Sequence, residues 1–203
     1  MTLFNQALVI GKFYPPHNGH LALIQRAAAR STHLAVIVMA SQLESIPLSD
    51  RVHWLRQDTA ALDNVTVLGI PSNAPVDYEA EIAWVANVEA MRAALRLANI
   101  HRIDAVFGSE PYIAELADRF DASAVLDDRT LLPMSGTAAR ADLAGEWMSL
   151  PPATRRGLAT RIIVVGAEST GTTTLTTALH DHYRARFPHI QFVEEYGRTF
   201  TYE

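Results

Sequence analysis

The sequence predicts an α/β protein built around a parallel β-sheet. Short apolar runs of strand length alternate with longer stretches in which apolar residues recur with helical periodicity, the pattern of βαβ units. The predicted strands are apolar throughout, as expected for a sheet that helices cover on both faces. Of the 203 residues, 49% are hydrophobic and 19% are charged, a balance typical of a globular domain.

Five strands and three helices are predicted in the first part of the chain. The strands are residues 7–10, 34–40, 65–70, 103–107 and 124–126, and the helices are residues 19–31, 49–62 and 78–99. Ser49 or Asp50 is expected to cap the second helix, because short polar side chains accept hydrogen bonds from the free N–H groups at a helix start. The third helix has apolar residues at 82, 85, 88, 91 and 95, which we expect to form its buried face.

Composition and charge exclude several classes of protein. Because the chain has no cysteine, disulfide scaffolds, thiolate metal sites and cysteine nucleophiles are excluded. A net charge of −5 provides no basic field, so no nucleic-acid partner is expected. No apolar stretch approaches the roughly 20 residues that span a bilayer, and the N-terminus lacks the pattern of a signal peptide. We therefore expect a cytoplasmic protein with no membrane partner; whether it forms a homo-oligomer stays open.

The most informative segment is residues 11–20, GKFYPPHNGH, which directly follows the first strand. It leaves the strand at a glycine, passes two prolines and starts a helix with His17 and His20 on one face of the first turn. Backbone N–H groups and the dipole at a helix start attract phosphate, and Lys12 adds positive charge. Ligands of parallel sheets bind beyond the carboxyl ends of the strands. The segment therefore predicts a polyphosphate site in which two imidazoles donate to a developing negative charge.

The histidine spacing alone has other interpretations. Two histidines three residues apart also fit an unrelated surface pair or a zinc pair, for which the sequence nominates no third ligand. The whole segment is more specific, because GKFYPPHNGH resembles the signature of the nucleotidyltransferase superfamily, which joins ATP or CTP to a phosphorylated acceptor. The resemblance implies a Rossmann-like nucleotidyltransferase domain with Lys12, His17 and His20 as catalytic residues. The ATP-binding positions that it implies in this segment are Gly11, Phe13 and Gly19.

A second motif, residues 134–140 (MSGTAAR), supplies a candidate cation for the β- and γ-phosphates. Ser135 or Thr137 can cap a helix here while Arg140 points at the phosphates. An ordinary capped helix with a solvated arginine would explain the segment by itself. The segment also resembles the S-x-T-x-x-R motif of the same superfamily and occurs where the superfamily has it. The resemblance therefore implies that Arg140 is catalytic and that Ser135 and Thr137 bind ATP.

The middle of the chain narrows the resemblance. Residues 69–72 (GIPS), Trp84, residues 106–112 (VFGSEPY) and residues 127–129 (DDR) resemble the bifunctional NMN adenylyltransferase and ribosylnicotinamide kinase family, the NadR type. This implies that Trp84 stacks on the nicotinamide and that Glu110, in a loop near the nucleotide, binds NMN. An aromatic face attracts a cationic pyridinium ring, although a tryptophan on a helix is also a common core residue.

The sequence predicts three parts: a nucleotidyltransferase domain over residues 1–148, a linker over 149–160 and an incomplete P-loop kinase-like domain over 161–203. The third part contains a strand at 162–165, a helix at 175–187 and a strand at 191–193, the first βαβ unit of a P-loop domain. One such unit is too small for a complete nucleotide-binding domain. We therefore expect a truncated chain or a remnant of the second domain.

Residues 166–173, GAESTGTT, have the G-x-x-x-x-G-x-T frame of a P-loop between a strand and a helix. Its backbone N–H groups would cradle phosphates, and Thr173 would hold magnesium. The lysine that should follow Gly171 is replaced by Thr172, which weakens neutralisation of the β- and γ-phosphates. The candidate P-loop positions are Gly166, Glu168, Ser169, Gly171, Thr172 and Thr173. Residues 194–198, EEYGR, resemble the E-Y-G-R segment of the kinase half of the same family, which implies an acidic residue near the ribosyl substrate; the candidate kinase-like positions are Glu195 and Arg198.

The resemblance covers essentially the whole chain and implies transfer of an adenylyl group from ATP to NMN, with Mg²⁺, giving NAD and pyrophosphate. It implies direct attack of the acceptor phosphate on the α-phosphorus, without a covalent enzyme intermediate. Ribosylnicotinamide kinase activity is not expected, because Thr172 replaces the P-loop lysine and the magnesium and lid segments are missing. Two alternatives stay open: adenylyl or cytidylyl transfer to another phosphorylated acceptor such as phosphopantetheine, and a non-catalytic sensor that binds NAD or ATP.

Overall fold

A computed structural model of the chain describes residues 3–73, 79–127 and 134–194. The chain divides into two compact units, Met1–Leu158 and Ala159–Glu203. No helix within the described ranges is long and apolar enough to cross a membrane.

The first unit alternates strands and helices in the predicted order. Its strands are β1 (Phe4–Gly11), β2 (Ser31–Ala40), β3 (Val65–Pro71), β4 (Ala105–Gly108) and β5 (Ser123–Leu126). Its helices are α1 (Asn18–Ala28), α2 (Leu48–Asp58), α3 (Glu81–Leu97), α4 (Ile113–Arg119), α5 (Gly136–Ala141) and α6 (Pro152–Leu158). All five predicted strands and all three predicted helices are present, whereas α4 and α6 are additional elements.

The five strands form one parallel sheet in the order β3-β2-β1-β4-β5. Val9 on β1 lies opposite Val36 on β2 and opposite Phe107 on β4. The chain proceeds from β1 to one edge of the sheet and then crosses back to β4 on the other side of β1. Between β1 and β4 the strand order therefore reverses, which is where open α/β sheets bind ligands. The predicted Rossmann-like α/β fold is confirmed for this unit.

Helices cover both faces of the sheet, as the apolar strands predict. One buried core contains Ile24 of α1 and Leu55 of α2, and the other contains Met91 of α3 and Leu116 of α4. Crossovers between parallel strands are right-handed as a rule, and the chain moves across the sheet in the opposite direction after β3. The helices before and after β3 therefore lie on opposite faces of the sheet.

The buried face of α3 differs from the predicted one. The residues that face the sheet are Trp84, Val88, Met91 and Leu95. Ile82 and Val85 were part of the predicted stripe, but they are 83% and 48% exposed. Steps of three residues drift around a helix of 3.6 residues per turn, so Ile82 lies about half a turn away from Met91. The prediction was therefore wrong at the start of the helix and correct from Val88 onward.

The predicted cap of α2 is also wrong. The helix begins at Leu48 after Pro47, and neither Ser49 nor Asp50 caps it with a side-chain hydrogen bond. Pro47 has the fixed φ of a proline and carries no N–H, and it occupies the N-cap position. The helix therefore begins at Leu48, one residue earlier than expected. Asp50 lies in the first turn, where its negative charge still favours the positive end of the helix dipole.

The first unit extends to Leu158, so the segment predicted to be a linker, residues 149–160, contains α6. Pro152 is the first residue of this helix, a position where its missing N–H has no cost. The backbone N–H of Ala153 donates to Oδ1 of Asp58 at 2.9 Å, which ties the start of α6 to the end of α2. Burial raises the pKa of Asp58, although this hydrogen bond opposes the shift. Pro152 in this segment thus marks the start of α6.

Gly157 allows α6 to lie directly on α2. A Cβ added at Gly157 would overlap the buried indole ring of Trp54. We expect Gly157→Ala to lower the free energy of unfolding by about 1–3 kcal/mol, because overpacking a rigid ring outweighs the better helix propensity of alanine. Chemical denaturation measures this loss. In a Trp54→Leu background the same change should be neutral or stabilising, and an equal loss in both backgrounds would contradict the packing explanation.

In the described part of the second unit, residues 159–194, the regular element is α7 (Thr172–Arg184). The predicted strands at residues 162–165 and 191–193 do not form there. A strand is held by hydrogen bonds to a neighbouring strand, and these segments have no such neighbour among the described residues. Ile163 and Val165 are accordingly 79% and 84% exposed. The predicted helix is present but begins three residues earlier than expected.

Candidate active site

His17 and His20 lie at the start of α1 and cap it with their side chains. His17 is the N-cap residue, and its Nδ1 accepts a hydrogen bond from the backbone N–H of His20 at 3.3 Å. In return, Nδ1 of His20 accepts from the backbone N–H of His17 at 3.2 Å. The two rings stack with their centroids 3.5 Å apart. This is a reciprocal capping box built from two imidazoles.

The capping box fixes the tautomer of both rings. A ring nitrogen that accepts a hydrogen bond carries no proton, so the proton of each neutral imidazole lies on Nε2. Each histidine therefore has an N–H donor at Nε2. These donors lie at a helix start, where the dipole and the backbone N–H groups also favour negative charge. The hydrogen bonds that cap α1 thus also position the Nε2–H groups of both imidazoles.

The ring of Phe13 packs against His20. Its ring is buried and meets the His20 ring edge-on, with centroids 4.8 Å apart. Its φ of +46° is unusual for a bulky residue, and such strained positions cluster at functional sites. The ring also lies against Gly11 at the end of β1, while Gly19 lies in the first turn of α1. The surroundings of Phe13 therefore indicate a supporting role for its side chain.

Lys12 and Arg51 share one carboxylate beside this loop. Nζ of Lys12 lies 2.9 Å from Oε1 of Glu44, and Nη1 of Arg51 lies 2.7 Å from Oε2 of Glu44. Arg51 is fully buried and also donates to the main-chain oxygens of Ile46 and Lys12. Burial opposes ionisation of Glu44, but its hydrogen bonds to the two cations outweigh this effect and lower its pKa. Glu44 therefore stays charged and partly neutralises both cations.

Arg140 is brought to the same loop by Tyr14. Its guanidinium lies 4.4 Å from the centroid of the Tyr14 ring, and its Nη1 donates to the main-chain oxygen of Tyr14. Nη2 donates to Oγ1 of Thr137 at 3.1 Å. Of the two predicted caps of α5, it is Ser135 whose hydroxyl accepts the backbone N–H bonds. Among the described residues, no carboxylate forms an ion pair with Arg140. Its positive charge therefore remains available to an anionic ligand.

Trp84 lies in a core cluster, and its stack on nicotinamide stays a prediction. Its side chain is 9% exposed and packs against the sheet beneath α3. The guanidinium of Arg119 already lies 4.9 Å from the centre of its ring. Arg119 is in turn ion-paired with Glu81 and Glu115.

Two other predicted positions lie at or near the carboxyl edge of the sheet. Glu110 is in the turn that directly follows β4, the strand beside β1. Asp127 follows β5 and accepts a hydrogen bond from Nε of Arg26 at 2.8 Å, which joins this end of the sheet to α1. The next two residues of that motif, Asp128 and Arg129, lie outside the described residues.

The P-loop frame lies on the surface of the second unit. Gly171, with a φ of +81°, precedes Thr172, the first residue of α7, and no side chain caps this helix. Ser169 also has a positive φ, of +65°. The other candidate positions are exposed on the same turn or on the first helical turn, namely Gly166, Glu168 and Thr173. The turn and helix of the frame are present, whereas Glu195 and Arg198 lie outside the described residues.

The described residues contain no group of three histidine, aspartate or glutamate side chains that could hold a metal ion. Thr173 offers a single hydroxyl. A divalent cation at either phosphate site would therefore need phosphate oxygens and water for most of its ligands, as Mg²⁺ commonly does.

Three residues beside this loop were not predicted as part of the site: Tyr14, Glu44 and Arg51. Tyr14 stands inside the opening motif, and its place next to the first proline was the available signal. A single glutamate in a polar loop and a single arginine on a helix give no signal, because such residues are usually solvated.

The fold is that of a Rossmann-like α/β protein, and the candidate site lies at the reversal point of its sheet. Residues 6–72 match the family described as the citrate lyase ligase C-terminal domain, and residues 161–203 match an AAA domain. The second match agrees with the P-loop frame expected there.

The chain is similar to the trifunctional NAD biosynthesis/regulator protein NadR of Salmonella typhimurium, with 24% identity over 212 residues. That match covers 98% of this chain and 50% of the relative. A crystal structure of NadR protein in complex with NR has a TM-score of 0.72 and 23% identity, and the match covers 99% of this chain and 57% of that one. The predicted resemblance to the NadR type is therefore confirmed over nearly the whole chain. The chain spans about half the length of the curated relatives it matches.

A more distant structure shares the fold. It is a bifunctional NMN adenylyltransferase/ADP ribose pyrophosphatase from Francisella tularensis, complexed with AMP and an Mn ion. The TM-score is 0.57 at 15% identity, and the match covers 95% of this chain and 58% of that one.

Proposed function

We propose that the first unit, Met1–Leu158, transfers the adenylyl group of ATP to NMN and forms NAD and pyrophosphate. One observation carries the proposal: two imidazoles with Nε2–H donors lie at the loop after β1, at the reversal point of the sheet, and this loop is contacted at Tyr14 by Arg140, which forms no ion pair among the described residues. The similarity to NadR supports NMN as the acceptor, and the anion-binding geometry supports nucleotidyl transfer in general.

In this reaction an oxygen of the NMN phosphate attacks the α-phosphorus of ATP. A new P–O bond forms while the bond from the α-phosphorus to the bridging oxygen breaks, and pyrophosphate leaves with that electron pair. Negative charge grows on the phosphate oxygens, where Nε2–H of His17 and His20 would donate. Arg140 would bind the polyphosphate. Lys12 would leave its ion pair with Glu44 and pair with phosphate instead. Such catalysis rests on positioning and electrostatic stabilisation, so no covalent intermediate on the protein is required.

Mg²⁺ belongs to this proposal as the complex with ATP. The ion would neutralise part of the triphosphate charge and take most of its ligands from phosphate oxygens and water. The backbone N–H groups of the first turn of α1 and the side chain of Arg140 would then orient the phosphates.

The test is incubation of the chain with ATP, Mg²⁺ and one acceptor at a time: NMN, nicotinate mononucleotide or phosphopantetheine. We expect NAD from NMN at a rate far above that of the other products, and none above background from His20→Ala. Faster turnover of another acceptor would replace NMN in the proposal. Tight ATP binding in calorimetry without any turnover would instead favour a sensor.

Residues 161–203 are proposed to add no ribosylnicotinamide kinase activity. Thr172 stands where a P-loop lysine would neutralise the β- and γ-phosphates, and a hydroxyl cannot supply that charge. Phosphorylation of ribosylnicotinamide in the same incubation, detected by chromatography, would refute this part of the proposal.

A further inference from the structure

The ring of Tyr14 contacts two guanidinium groups. Its centroid is 4.3 Å from Cζ of Arg51 and 4.4 Å from Cζ of Arg140. The phenol oxygen is 2.6 Å from Oγ of Ser45 and accepts the backbone N–H of Ser45 at 3.0 Å. The tyrosine is therefore held at its hydroxyl by Ser45, and its ring contacts both guanidinium groups.

The two cations differ in how firmly they are held. Arg51 is fully buried and is anchored by two main-chain oxygens and by the carboxylate of Glu44. Arg140 is exposed and its contacts within the described residues are uncharged: a ring, a carbonyl oxygen and the hydroxyl of Thr137. Arg51 thus provides a rigid base, whereas Arg140 keeps its charge for a ligand.

Tyr14 also determines where α5 lies. The carbonyl oxygen of Tyr14 would be 2.6 Å from a Cβ added at Gly136, the first residue of α5. The same carbonyl oxygen accepts a hydrogen bond from Arg140 in the last turn. A helix of six residues has little stability of its own. Arg140 therefore has two contacts with Tyr14, one with the main-chain oxygen and one with the ring, and replacing the side chain removes only the ring contact.

We propose that Tyr14 is a positioning residue, whose ring transmits the fixed position of Arg51 to Arg140 and so aims that guanidinium at the polyphosphate. The inference rests on the proposed function for the identity of the ligand, ATP. Contacts between a cation and an aromatic face predict an effect of about 3- to 30-fold on the affinity for the triphosphate. The effect should fall on ATP and leave the acceptor NMN untouched.

The experiment compares Tyr14→Leu with Tyr14→Phe in the full chain. Calorimetry measures the Kd of Mg-ATP and of inorganic tripolyphosphate, and steady-state assays separate KM from kcat. We expect Tyr14→Leu to weaken both ligands by about 3- to 30-fold and to raise the KM for ATP but not that for NMN. Tyr14→Phe keeps the ring and should stay within about twofold of the wild type. Tyr183→Leu on α7 is the matched control, and thermal unfolding confirms that each variant folds.

A double substitution shows whether the effect acts through Arg140. If Tyr14 positions Arg140, Tyr14→Leu should weaken tripolyphosphate no further once Arg140→Ala is present. An equal loss in both backgrounds, or wild-type affinity for Tyr14→Leu, would overturn the inference. Tripolyphosphate binding is measured without turnover. A wild-type chain that binds it with the expected Tyr14 dependence but makes no NAD would therefore refute the proposed function alone.

Discussion

Replacing His17 by asparagine is expected to lower the rate of NAD formation by about 10²- to 10³-fold and to leave stability nearly unchanged. Asparagine is among the preferred N-cap residues, so its side-chain oxygen can replace Nδ1 as the acceptor of the His20 backbone N–H. It does not reproduce the Nε2–H donor, and the loss of one donor to a developing oxyanion has a kinetic effect of this size. Initial rates and a denaturation curve measure the two properties separately.

Alanine at the same position is the comparison. His17→Ala loses the cap as well as the donor, so its free energy of unfolding should fall by about 1 kcal/mol below that of the asparagine variant. Both variants should be similarly slow. An asparagine variant with nearly the wild-type rate would mean that His17 acts only as a helix cap.

Arg51→Met is expected to have the largest effect on stability, a loss of about 3 kcal/mol in the free energy of unfolding. Methionine fills a similar volume, but two main-chain oxygens and the Glu44 carboxylate lose their buried donor. Urea denaturation measures the loss. Arg102→Met is the control, because Arg102 forms an ion pair with its side chain 80% exposed. That change should stay within about 0.5 kcal/mol, and an equal effect of both substitutions would contradict the assignment.

The pH dependence of stability offers a second measurement on the Arg51 variant. Because the pKa of Glu44 is lowered in the folded state, its ion pairs stabilise the protein above the ordinary carboxyl pKa of about 4.3. This stabilisation is lost as the pH falls through the lowered pKa. Without Arg51 the shift is smaller, so stability should change less steeply with acid. An unchanged acid profile would mean that Arg51 does not set the charge of Glu44.

The chain order of the fold and the centre of the site could be predicted from the sequence. Apolar strands alternate with periodic helices, so local pattern alone placed β1 to β5 and α1 to α3. The opening motif is local as well, because His17 and His20 form their capping box within one helical turn. Residues that interact with their near neighbours in the chain can be read from spacing.

What could not be predicted depends on contacts between distant parts of the chain. Arg51 is buried because Glu44 and main-chain oxygens surround it, whereas its helical context alone indicates a solvated residue. The first turns of α3 carry apolar residues on two sides, Ile82 and Val85 on one and Trp84 on the other, and it is Trp84 that packs against the sheet. The strands expected at 162–165 and 191–193 need partners that the described residues do not provide. In each case the deciding neighbour is remote in sequence.

The contact between Arg140 and Tyr14 joins residues that are 126 positions apart, while the histidine pair spans three. The six-residue helix α5 has little stability of its own, whereas α1 is capped within its own first turn, so local opening should release α5 before it disturbs α1. A nucleotide that touches both parts binds only the closed form and shifts the equilibrium towards it. If ATP binds as proposed, saturation with ATP should therefore stabilise the fold as well as fill the site.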